Sequence, residues 1–318
     1  MKNFVKIYLR IIFLFVLNSF SQTKSSVLLK EKLEFQINKA DSLFESGNLN
    51  QSLKIYKSFE KKLDVKKNKF VFYKIAVIYA LKKQKRKSFA YINKVNKHDS
   101  TNYLLKEANF YNLINDKKWH YIENKQLDKI AKINNFPEYR YFDKIAYKMF
   151  IKDQSNYYEL EYFKNKTKYE QLKKKLNKEN LIELDKIIGS YGFPTISKFG
   201  VEFSETAFLI IQHQEDLKRQ QKYLELLENL LKDNEVKKLN YAYLKDRVLT
   251  NEGKKQIFGS QLSFDEVKKV FYFDVSNLID PQNVDQRRKN FDLEPISDYL
   301  KRHNIIWNPS SEKLYPEN

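Results

Sequence analysis

The chain has 318 residues and a formal charge of +19, with 59 Lys and Arg against 40 Asp and Glu, and it contains no cysteine. Disulfides, thiolate nucleophiles, iron–sulfur clusters and Cys-ligated zinc are therefore excluded. Lys outnumbers Arg about six to one, the make-up that AT-rich codons produce and a poor one for the bidentate contacts of nucleic-acid readers. A basic surface instead attracts anionic lipid headgroups, acidic glycans or an acidic partner.

Lys2, Lys6 and Arg10 precede an apolar run from Ile11 to Phe20, and small residues flank Phe20 at Ser19 and Ser21. This is the pattern of a secretory signal peptide over 1–21, cleaved before Gln22, and its uncharged stretch is shorter than the roughly 20 residues that span a bilayer. Cleavage leaves a chain near +16, the full charge less three leader residues. The expected location is periplasmic or secreted, with no transmembrane span after cleavage.

Residues 22–133 read as tetratricopeptide-like helical repeats. A shift of 36 aligns Ala40-Asp41-Ser42-Leu43 with Ala76-Val77-Ile78-Tyr79, Ser52-Leu53 with Ser88-Phe89, and Phe59 with Val95. The small residues mark where two antiparallel helices approach closely. Gly47-Asn48 supplies one turn, and the polar run from Lys82 to Lys87 the other. A third copy is expected from Leu104 to Leu127, with Ala108, Tyr111 and Trp119 in register. Repeats of this kind dock on the rest of the chain or leave a concave surface for a protein or peptide partner.

Asn134-Asn135-Phe136-Pro137 marks a boundary, since Pro disfavours helix in the residue before it. A helical domain with one small β-hairpin is expected over 138–307, followed by a tail over 308–318. Its helices are predicted at 139–152, 157–176, 179–190, 199–212, 215–232 and 236–251, broken at Tyr191-Gly192-Phe193-Pro194. The hairpin is predicted within Gln256–Val275, and Pro281 and Pro295 each introduce a short terminal helix. The fold class is mainly α.

An ordered set of segments runs through this half: Asp153-Gln154, Gly192-Phe193-Pro194-Thr195, Ala207 to His213, Asp246-Arg247-Val248, Gly253 to Gln261, Asp280-Pro281, and Val284 to Arg288. Together they resemble an uncharacterised bacterial family, domain of unknown function 6624, over about 138–303. The resemblance implies a domain but no reaction. Phe193, Phe258 and Ser260 stand where that family usually has Trp, Tyr and Thr, and Tyr157 or Tyr158 falls near a frequent Arg.

The candidate chemistry centres on polar residues that the apolar periodicity does not require. His213, Asp216 and Gln220 are spaced to share one helical face, which makes His213 a candidate general base with an orienting carboxylate, or a helix cap. Asp246 is a second catalytic candidate. Asp246 and Arg247 point about 100° apart on a helix, so one of them is expected to face the Gln256–Gln261 segment. Arg247, Gln256, Gln261, Asp153 and Gln154 are candidate ligand-binding residues, while Arg287-Arg288 read as surface salt-bridging residues. The four His are scattered and form no metal-binding spacing, and no P-loop, dinucleotide or nucleophile-elbow motif occurs, so no cofactor is implied. Three functional classes remain open: an envelope interaction or scaffold protein, a module binding a small or anionic ligand near His213, Arg247 and Gln261, and a hydrolase using His213.

Overall fold

Ala40 and Ala76 are fully buried, and so are Ser52 and Ser88, twelve residues after each. In both pairs the Ser Oγ donates to the Ala carbonyl at 2.8 Å. A hydroxyl that finds a main-chain acceptor on the facing helix lets two backbones meet without leaving a polar atom unpaired. These contacts belong to a computed structural model of the chain, which describes residues 31–134, 139–155 and 166–317. The signal segment and the Asn135–Pro137 boundary lie outside the described residues.

The helices of the first hairpin are α1 (31–45) and α2 (Leu49–Phe59); those of the second are α3 (Lys69–Leu81) and α4 (Lys85–Asn96). The 36-residue period extends to the turns, where Gly47 at φ +80° is matched by Lys83 at φ +59°. A lysine thus occupies a left-handed position where glycine carries no steric penalty. Helix α3 is apolar nearly all round because α2 and α4 cover it on two sides. Glu60 ties one hairpin to the next by accepting from Tyr91 Oη at 2.8 Å and Lys94 Nζ at 3.0 Å.

The expected third copy does not form. Two 3-10 turns, Tyr103–Lys106 and Ala108–Phe110, stand where its first helix was predicted. The Glu107 carboxylate accepts from the Asn109 N–H at 2.9 Å, a local bond that competes with helix continuation. The chain divides into two compact units, one holding residues up to Ser100 together with Asn115–Ile122, the other holding Thr101–Ile114 and everything from Glu123. The supposed copy is therefore split, with residues 115–122 in the first unit and the rest in the second. Helix α5 (Lys117–Asn134) begins in the first of them.

The second unit is led by α6 (Arg140–Gln154), α7 (Lys166–Tyr191), α8 (Ile196–Phe199), α9 (Val201–Gln212), α10 (Leu217–Leu231) and α11 (Lys238–Asn251). Helix α7 merges what were predicted as two helices: no Gly or Pro interrupts it before Gly189, and Asn180, near the expected break, is buried and donates to the Met149 carbonyl at 2.9 Å. Phe199, Phe203, Ala207, Ile210, Leu227 and Leu244 fill the core between these helices.

Beyond α11 the hairpin forms within the predicted Gln256–Val275, its first strand later than Ile257-Phe258. Gln256 to Gln261 is a loop rather than a strand, and the paired strands are β1 (Ser263–Asp265) and β2 (Val270–Asp274). A third strand, β3 (Lys313–Leu314), comes from the segment read as a tail and pairs antiparallel with β2, Leu314 opposite Phe273. Helices α12 (Val284–Asn290) and α13 (Ile296–Lys301) close a second small core around Phe273, Leu278, Val284, Ile296 and Leu300. The protein is thus mainly α with one small antiparallel sheet, and among the described residues no helix is long and apolar enough to cross a membrane.

Candidate functional site

The site residues read from the sequence gather into two hydrogen-bonded groups in the second unit. In the first, His213 Nδ1 lies 2.9 Å from both Asp153 carboxylate oxygens, and Gln154 Nε2 donates to Asp153 Oδ2 at 2.7 Å. His213 ends α9 and Asp153 lies in the last turn of α6, where its side chain is 1% exposed. The carboxylate orients the imidazole as a general-base pair requires, and it also fastens the α9–α10 corner to α6. The partner expected from helical spacing was Asp216. That residue instead caps α10, accepting from the Arg219 N–H at 3.1 Å, because the chain turns between His213 and Asp216 and the two belong to different helices. Gln220 is fully buried and holds the corner through the Gln212 and Gln214 carbonyls.

The second group is a clasp on the loop from Gln256 to Gln261. Asp246 is fully buried and accepts from three main-chain N–H groups, those of Ile257 at 2.7 Å, Phe258 at 3.1 Å and Ser260 at 2.9 Å. Burial pushes its carboxyl up even though these bonds pull the other way. The carbonyls of the same loop point to cations: Arg287 Nε donates to Ile257 O at 2.8 Å and Arg288 Nη1 to Phe258 O at 2.7 Å. The loop's peptide dipoles thus lie between a buried anion and two guanidinium groups. Arg288 is only 1% exposed, which corrects its reading as a surface salt-bridger. Gln256 closes the loop, donating to Gln261 O at 3.1 Å and accepting from Gln261 N at 2.9 Å. Gly259 sits at φ +65°, where a Cβ would stand 3.0 Å from the Phe273 ring. Arg247 is half-buried, and its charge bears on the Tyr299 hydroxyl.

A third feature of this unit responds to pH. Asp143 on α6 is pushed up to about 6, by burial first and then by the negative charge of Glu202. Glu202 is itself held by Asn102 Nδ2 at 2.6 Å and Lys106 Nζ at 2.9 Å. The folded state binds the Asp143 proton more tightly than the unfolded chain, so this stabilisation is complete below the ordinary value of 3.8 and gone above about 6. Asp143→Asn is expected to raise the thermal midpoint at pH 7.5 by about 2–4 °C and to flatten the gain the parent shows on going to pH 5. Melting curves at the two pH values check this, and an unchanged pH slope in the variant would refute it.

The first unit carries a groove of about 460 Å³ that sequence reasoning did not single out. One face of α4 supplies Arg86, Phe89, Ala90 and Asn93, and the start of α5 supplies Lys117, Lys118, Tyr121 and Ile122. Phe89 and Ile122 form a buried floor, whereas Tyr121 is 66% exposed. No carboxylate lines the groove, and neither helix has an acidic residue in its first turn. Cations at helix N-termini oppose the macrodipole, which is why first turns ordinarily favour Asp and Glu. That inversion, Lys85-Arg86-Lys87 on one helix and Lys117-Lys118 on the other, is the sequence signal that could have located the groove.

The second unit is, in class, a small helical domain whose C-terminal sheet is joined to it through an ion-clasped loop. Residues 168–307 match the model of a Family of unknown function (DUF6624). The clasp lies wholly inside the matched residues, while Asp153 and Gln154 lie before them. No curated protein and no solved structure matches the chain.

Proposed function

We propose that this is an exported interaction protein of the bacterial envelope, whose helical hairpins receive an acidic, apolar-anchored segment of a partner protein. The observation that carries the reading is the groove between α4 and α5. Arg86, Lys117 and Lys118 make no ion pair among the described residues, and no carboxylate lines the groove. Phe89, Tyr121 and Ile122 offer the apolar contact that a purely electrostatic surface lacks. Aromatic side chains of this kind are enriched at protein interfaces. By contrast, Asp246, Gln256 and Gln261 bond main-chain groups of their own unit, as expected of residues that hold a scaffold.

The test uses the full mature chain and a fluorescein-labelled peptide of sequence Glu-Glu-Phe-Glu-Glu-Leu. Saturable binding is expected in fluorescence anisotropy, weakened about tenfold or more when Gln replaces Glu in the peptide or when Arg86→Glu and Lys118→Glu are combined in the protein. Equal binding by that double variant would remove the groove from the reading. Preferential binding to phosphatidylglycerol vesicles, unaltered by the same variant, would point to a lipid surface instead. Export is checked on the same material: protein recovered outside the cytoplasm should begin at Gln22, and an intact leader would contradict the cleavage.

A further inference from the structure

A second hollow, of about 280 Å³, lies in the other unit beside the clasp. Helix α11 presents Tyr241 and Lys245 to it, one turn apart, and α12 with the residue after it presents Arg287, Asn290 and Phe291. Ile257 and Phe258 of the clasped loop complete the lining. None of the candidate residues read from the sequence lines it.

Its chemistry is aromatic on one side and cationic on the other. Tyr241 stacks on Phe291 with centroids 5.8 Å apart and planes 21° apart, and Phe258 meets Phe291 at 4.8 Å. Lys245 forms no ion pair among the described residues; the carboxylate its charge reaches, Glu252, is already held by Lys254 and Gln221. Arg287 is immobilised through Nε on Ile257 O and Nη2 on Asp280 O at 2.9 Å. Its Nη1 has only the half-exposed Asp280 carboxylate, at 3.6 Å. The N–H groups of Ile257 and Phe258 are spent on Asp246, so the loop offers an incoming molecule a rigid wall with no competing donors.

We infer that this hollow is a binding site for a small aromatic carboxylate, its ring against the Tyr241–Phe291 slab and its carboxylate between Lys245 and Arg287. The size agrees: a dry cavity of about 150 Å³ accepts benzene, so 280 Å³ leaves room for a ring and one charged group. A neutral ring gains nothing from the two cations. An aliphatic carboxylate gains little from the slab, whose flat face suits a stacked ring.

Benzoate is the probe, with benzamide as its neutral isostere, titrated against the full mature chain and followed by NMR. The expected result is saturable binding of benzoate with nuclear Overhauser contacts from its ring protons to Tyr241 and Phe291. Benzamide should bind about tenfold or more weakly, and Lys245→Met should weaken benzoate by a similar factor. Lys222→Met, at an exposed lysine on α10 of the same unit, serves as the control for the protein's general basicity and should change nothing. Should Lys245→Met prove unstable, Lys245→Gln and the Overhauser contacts of the parent protein carry the test. Equal binding of benzoate and benzamide, equal losses in the Lys245 and Lys222 variants, or contacts to other residues would each overturn the assignment.

Discussion

Replacing Asp246 by alanine is expected to cost about 3–4 kcal/mol of unfolding free energy, the range for stripping a buried charge from the groups it satisfies. The carboxylate pays for its burial, as its upward-shifted pKa shows, so its loss also relieves a desolvation penalty. What remains is the larger effect. The N–H groups of Ile257, Phe258 and Ser260 have no alternative acceptor in the loop, because Gln256 is occupied by Gln261. Asp246→Asn should recover little, since an amide turns an N–H₂ toward donors where a carboxylate offers a second acceptor. Urea unfolding measures the loss, and amide exchange at residues 257, 258 and 260 locates it. A change below about 1 kcal/mol, with those amides still protected, would mean the clasp contributes little.

The opposite jaw of the clasp gives the second large effect. Arg288→Met preserves length and apolar contact but removes the donors to Phe258 O and to Glu294 O, the latter at 2.7 Å, and the guanidinium 5.3 Å from the Tyr299 ring centroid. The expected loss is about 2–3 kcal/mol, from two buried carbonyls left bare. Arg288→Lys is the informative companion. It keeps the charge but cannot reach two carbonyls with a planar fork, so it should lose nearly as much. Full stability in the Lys variant would show that charge alone suffices. Because Asp246 and Arg288 grip the same loop, their combined loss should fall short of the sum of the single losses, measured as a double-mutant cycle.

How much of this was legible in the sequence depends on the range of the contact. The hairpins were readable because close helix approach demands small residues, and Ala40, Ser52, Ala76 and Ser88 repeat at a fixed spacing. The third copy misled because Ala108, Tyr111 and Trp119 preserve the apolar pattern while Glu107 ends the helix through a local bond that hydrophobic periodicity ignores. Asp153 and His213 were both singled out, yet their contact spans 60 positions and crosses two helices, which no local period encodes. Either Asp246 or Arg247 was expected to face the Gln256–Gln261 segment, and Asp246 does, although as the anchor of a loop rather than of a strand. Arg288 was read as a surface salt-bridger because an arginine buried on carbonyls and one exposed to water are indistinguishable in sequence. The cations lining both hollows were hidden by the basic composition, against which a further lysine carries little information.

The pairing of Leu314 with Phe273 orders events during synthesis. Phe273 sits at the centre of the small C-terminal core, and its sheet lacks one edge until residue 314 is free to reach it. The helical hairpins, whose contacts are close in sequence, can assemble while the chain is still growing, whereas this core must wait until residue 314 has been made.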